Sequence, residues 1–197
     1  MDRAWLNNIK REKLIDPEES LRILRSIELD PALTMIDSKV RNLRTNSLRR
    51  DRELREACLF CYGMSHRIRQ PVWVYPIEDS DFDFVAVCEG KEKWRCVPVQ
   101  LKELVPDALN SSSTLQSVLS GLAKYPRSTD LTVAVHLNRS VRFDPNDVVL
   151  PSLNIGQLWL FGAASDDQSE WFLYGDMLDN AAVFTTFNYP TGAPIKA

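Results

Sequence analysis

The spacing of apolar residues changes at Pro71, and that change limits what the chain can fold into more than any other feature. Before it, Leu48, Leu54, Ala57, Cys58, Cys61 and Met64 recur at intervals that place them on one side of a long helix over 47–66. After it come short runs of β-branched and aromatic residues separated by turn residues. Val72 to Tyr75 reads as a first strand, Phe82 to Cys88 as a second and Trp94 to Leu101 as a third. Gly90 lies in the tight hairpin between the last two. A helix over 112–125 follows, capped by Thr114, with Leu115, Val118, Leu119 and Leu122 on its buried side. The apolar run Leu131 to Leu137 then reads as an interior strand. A helix between the third and fourth strands permits them to pair in parallel, so the order predicts a mixed sheet flanked by helices, an α/β fold.

Around this core the sequence predicts a helical extension over 1–46, an α/β domain over 47–187 and an irregular tail over 188–197. In the extension, 4–14 reads as a short amphipathic helix. Asp16-Pro17-Glu18-Glu19 is a helix start, with an acid as N-cap, Pro at the first helical position and acids in the first turn. That helix fades near Asp30-Pro31, and 33–44 forms a further helical piece. A C-terminal β-hairpin is expected from 155–161 and 170–175. Its aromatic residues (Trp159, Phe161, Trp171, Phe172 and Tyr174) suit core burial, or, where exposed, a protein contact such as a homodimer.

The chain's 197 residues are enough for one domain with a sizeable core. No apolar run reaches the roughly 18 residues of a membrane span, and the first residues lack the apolar centre of a secretion signal. A cytoplasmic protein is therefore expected, with no membrane partner. Cys58, Cys61, Cys88 and Cys96 then read as reduced core residues rather than as disulfides or a zinc site. The net charge is −3, but it is unevenly spread. Residues 1–70 hold 15 Lys+Arg against 11 Asp+Glu, net +4, and residues 71–197 hold 9 against 16, net −7. The densest basic run spans 39–55 and includes Arg49, Arg50, Arg52 and Arg55. Such a basic helix beside acidic strands suits a protein that grips phosphates and holds a divalent cation.

The chemistry-bearing residues lie on the hairpin. Gln100 and Lys102 are two apart on one strand and share a face. The tight turn places Asp83 roughly opposite residues 98 to 100. A carboxylate and an amide oxygen form half of a hard-oxygen site for Mg2+ or Mn2+, and an ammonium group beside it can stabilise charge on a phosphate.

Asp83 followed by Gln100-x-Lys102, on a helix–strand–hairpin–strand–helix–strand order over about 47–140, resembles the PD-(D/E)XK nuclease superfamily. The resemblance implies a restriction-endonuclease-like αβββαβ core and metal-dependent hydrolysis of phosphodiester bonds, with DNA as the expected substrate. It implies that Asp83 and Gln100 hold Mg2+ or Mn2+, that Lys102 assists the attacking water, and that the preceding helix adds an acid, Glu56 in preference to Glu53. Two features depart from the pattern. Gln100 replaces the acid, and a neutral ligand binds metal less strongly. Phe82 stands where the motif has Pro, and Asp81 is a second candidate for the aspartate. The four arginines would then contact the nucleic-acid backbone. The alternative is the same fold without catalysis, binding nucleic acid or a protein partner. His136 reads as a hydrogen-bonded core residue, His66 as a charge complementing the helix C-terminus, and Tyr125 as core packing.

Overall fold

A computed structural model describes residues 9–41, 43–77, 81–125, 128–140, 144–179 and 181–192. The first five residues of the amphipathic segment expected over 4–14, part of the polar turn at 78–80 and the end of the tail lie outside the described residues. The described part of that segment holds a 3-10 turn, Arg11–Lys13, in place of the expected helix.

The helix start read at Asp16 is present. Asp16 accepts hydrogen bonds from the backbone of Glu18 at 2.8 Å and Glu19 at 3.2 Å, and helix α1 runs Pro17–Glu28. A short α2, Ser38–Arg41, precedes the long α3, Arg49–Ile68. Helix α3 ends at Arg69 in the left-handed conformation. The strands are β1, Val72–Tyr75; β2, Phe84–Glu89; β3, Trp94–Leu104; β4, Ser128–Leu137; β5, Ile155–Ala163; β6, Glu170–Gly175; and β7, Val183–Asn188. Between β3 and β4 lies α4, Leu115–Ser120, continued by a 3-10 turn, Gly121–Lys124.

All seven strands form one mixed sheet in sequence order. Strands β3, β4 and β5 are parallel, and every other neighbouring pair is antiparallel. The parallel β3–β4 pairing follows from the α4 crossover, as expected. The second parallel pair, β4–β5, is joined by residues 138–154, whose described part contains only the short 3-10 turn Pro145–Asp147.

Side chains alternate across the sheet, so each face builds its own core. One face carries Phe84, Val99, Leu101, Ala134, Trp159 and Phe161 against α1 and α3. The other carries Val85, Val87, Val133, Val135, Leu158 and Leu160 against α4. The N-terminal segment belongs to the first layer: Leu21 is fully buried, and Ile15 pairs with Val74 through backbone hydrogen bonds of 2.8 and 3.1 Å. Trp159, Phe161, Trp171 and Tyr174 of the C-terminal hairpin are buried, so they serve the core. Tyr189, within the expected irregular tail, is buried too. The four cysteines are free, and three of them are buried. No described helix is long and apolar enough to cross a membrane.

Candidate functional site

Unequal strand lengths create the site. Strand β2 begins at Phe84, paired with Val99, while β3 continues five residues beyond Val99 to Leu104. The amide of Leu101 therefore points past the end of β2 with no strand partner. Asp83, the residue before β2, fills that role: its Oδ2 accepts from the Leu101 N–H at 2.6 Å. The same oxygen accepts a hydrogen bond from the Gln100 side-chain amide, and the Asp83 N–H donates to the Val99 carbonyl at 2.9 Å. Asp83 Oδ1 has no hydrogen bond among the described residues. The expected meeting of Asp83 and Gln100 is thus present, with the amide acting as donor.

Asp83 opens onto a cavity of about 360 Å3 between α3 and the sheet. Glu53 and Arg50 line it from the helix, and Leu54, Phe84 and Leu101 supply apolar wall. Burial pushes the Asp83 carboxyl above its ordinary value. The Leu101 amide, the Lys102 charge and Gln100 pull it back, and Glu53 adds to the rise. Glu53 is bonded to Arg49 Nε at 2.6 Å. The helix acid that shares the cavity with Asp83 is therefore Glu53. Asp81 is exposed in the turn before Phe82.

Lys102 is half-buried on the other face of β3. Its Nζ lies 5.5 Å from the ring centroid of Tyr125, at the end of the turn after α4. The ammonium has no ion-pair partner among the described residues. Tyr125, expected only to pack, is the aromatic group against which this amine rests, a cation–π contact.

Glu56 sits elsewhere. It is buried beside His136, whose Nδ1 is 3.2 Å from Glu56 Oε1. His136 stacks on Phe161 at 4.9 Å and 13°. Its neighbour across the parallel ladder is Glu103, which accepts two hydrogen bonds from the Arg44 guanidinium and one of 2.7 Å from Asn138. Burial alone would raise Glu103, but the hydrogen bonds of Arg44 and Asn138 and the charges of Arg44 and His136 outweigh it and hold it below the usual carboxylate range. Ligand atoms of Glu56, Glu103 and His136 all lie within 4.8 Å of one another, close enough to share one cation. Arg44 already neutralises Glu103, so the cluster also works as a buried polar clamp joining α3 to β3 and β4. The sequence reading placed His136 in the core as a hydrogen-bonded residue, where it lies, but gave Glu103 no role. Only the β3–β4 register brings Glu103 and His136 together.

The arginines divide. Arg49 and Arg50 are exposed, and Arg50 has no ion pair among the described residues. Arg52 is half-buried and donates to the Leu43 carbonyl at 3.2 Å. Arg55 is committed within the fold: it bonds Glu28 at 3.0 Å and Gln168 at 3.1 Å and lies over Trp171 and Tyr189. His66, in the last turn of α3, stacks on Phe187 at 5.7 Å.

Compared with models of known protein families, with curated proteins and with solved structures, the chain shows no match.

Proposed function

We propose that the protein is a metal-dependent nuclease of the restriction-endonuclease-like αβββαβ class, acting on DNA in the cytoplasm. One observation carries the reading. Asp83, Gln100 and the Leu101 backbone converge at the edge of a cavity that Glu53 also lines, and the Lys102 charge acts on Asp83 from the opposite face of β3. The helix, three strands, helix and strand occur in the order that the sequence resemblance implies.

The residues fit Mg2+ or Mn2+. Asp83 Oδ1 is uncommitted among the described residues, Glu53 would supply a second carboxylate through the oxygen not bonded to Arg49, and Gln100 would supply an amide oxygen once its side chain turns. Such hard-oxygen donors are the set these ions take. A bound ion would supply Lewis-acid polarisation of the phosphoryl oxygen and activation of water. Lys102, on the opposite face of β3 against Tyr125, would act on the site through its charge alone, and Arg50 at the rim would hold the strand through its backbone.

Purified protein is expected to hydrolyse DNA only with Mg2+ or Mn2+. Asp83→Asn, which keeps an oxygen for the Leu101 N–H, and Lys102→Ala should each abolish turnover without lowering the melting temperature, and retained turnover in both would reject the assignment. A second reading, the same fold as a non-catalytic binding module, is favoured by the Gln100 amide facing Asp83 as a donor. Calorimetric titration with Mn2+ separates the two: heat lost in Asp83→Ala supports the enzyme, and no heat at millimolar metal supports the module.

A further inference from the structure

Away from Asp83, Glu53 and Arg50, the described residues that line the cavity beside Asp83 are apolar. Ile15, Leu54, Val74, Pro76 and Phe84 form its wall, and among the described residues Arg50 is its only cationic lining group. A phosphodiester that reaches Asp83 must direct one of its two nucleosides toward this wall. The volume, about 360 Å3, lies in the range of sites for one small organic group and cannot admit a stacked, paired duplex. Extruding a base from a duplex costs a few kcal/mol, whereas an unpaired nucleotide avoids most of that cost. Burial of a base against apolar side chains is favourable for every base. The five wall side chains named above carry no hydrogen-bonding group that could read a base edge.

We infer that this cavity receives one unstacked nucleoside next to the scissile phosphate. The substrate class is then a single strand, a flap or a frayed end, with little sequence preference, and not an intact duplex. This inference rests on the nuclease reading of the Asp83 site.

The test is fluorescence anisotropy of labelled 12-nucleotide DNA, single-stranded or as a blunt duplex, with Ca2+ replacing Mg2+ to prevent cleavage. The single strand should bind about tenfold tighter, the scale of one base–side-chain contact. Ala57→Leu and Leu54→Trp, which both fill the cavity, should each weaken single-strand binding about tenfold and leave the duplex nearly unchanged. Leu54 is half-buried, so Leu54→Trp decides the matter if Ala57→Leu fails to fold. Equal affinity for the two forms, no binding of either, or single-strand affinity indifferent to a folded cavity-filling variant would each overturn the inference. Hydrolysis assays with Mn2+ keep the two ideas apart. Equal cleavage of blunt duplex and single strand sinks the cavity inference alone. A cavity-dependent single-strand preference without hydrolysis sinks the nuclease reading alone.

Discussion

Burial raises the Asp83 carboxyl above its ordinary value, so the charged form that would hold a cation is disfavoured in the folded protein. Protons bind Asp83 more tightly when folded than when unfolded. Its contribution to stability is therefore fully present below the unfolded value and is lost as pH rises through the folded one. At neutral pH without metal, ionised Asp83 costs stability. Asp83→Asn, which keeps an oxygen for the Leu101 N–H, should raise the melting temperature modestly at pH 7, and the gain should vanish as the pH falls below about 4. Differential scanning calorimetry across pH checks this; a melting temperature lowered at pH 7 would show that the carboxylate is there for stability. The pairing of Asp83 with Gln100 was legible because a tight hairpin fixes register. The choice between Glu53 and Glu56 was not. The two acids lie three residues apart on α3, and only the packing of the helix on the sheet decides which one reaches the cavity and which one meets His136.

At the scale of elements, the β4–β5 ladder depends on one close approach. Pairing is irregular between Ser128 and Thr132, and this brings the Thr129 carbonyl over Gly156. A Cβ at Gly156 would overlap that oxygen, and the Leu131 carbonyl would be 3.3 Å away. Backbone cannot step aside as a side chain can, so Gly156→Ala should cost about 2 kcal/mol, within the range for overpacking. Urea denaturation measures it, and a loss below about 0.5 kcal/mol would mean that the strands slide apart freely. The main elements were readable because their periods are clear: α3, the β2–β3 hairpin, α4 and the apolar β4. The sequence reading ended the third strand at Leu101, yet β3 runs on to Leu104, because Lys102 and Glu103 look like a solvated strand end. In the fold, Tyr125 and Arg44 absorb those two charges. Strand β7 was overlooked although Val183-Phe184-Thr185-Thr186-Phe187 has the β-branched and aromatic composition of a strand. Its place beside β6 depends on pairing, which composition does not specify.

For the molecule as a whole, the net charge of −3 opposes nucleic-acid binding, so any affinity must come from a local basic surface. The run over 39–55 suggested four arginines for that surface, but folding spends part of them. Arg55 ties α3 to α1 through Glu28 and to the β5–β6 turn through Gln168, and Arg52 caps the Leu43 carbonyl. Arg50 remains exposed with no ion pair among the described residues, Arg49 is exposed but bonded to Glu53, and in the proposed nuclease Lys102 would add a third charge from the other face of β3. Such a footprint covers two or three phosphates, and each neutralised phosphate of a single strand contributes about −0.7 to the slope of log K against log salt. The slope for single-stranded DNA should then be about −2. Arg50→Ala should make it shallower by about 0.7, while Arg55→Ala should leave it unchanged and instead lower the melting temperature, because that guanidinium works inside the protein. Anisotropy titrations over a range of salt concentrations measure both effects. A slope steeper than about −4, or one that Arg55→Ala flattens as much as Arg50→Ala does, would mean that the strand follows a longer path along α3 than the exposed arginines allow.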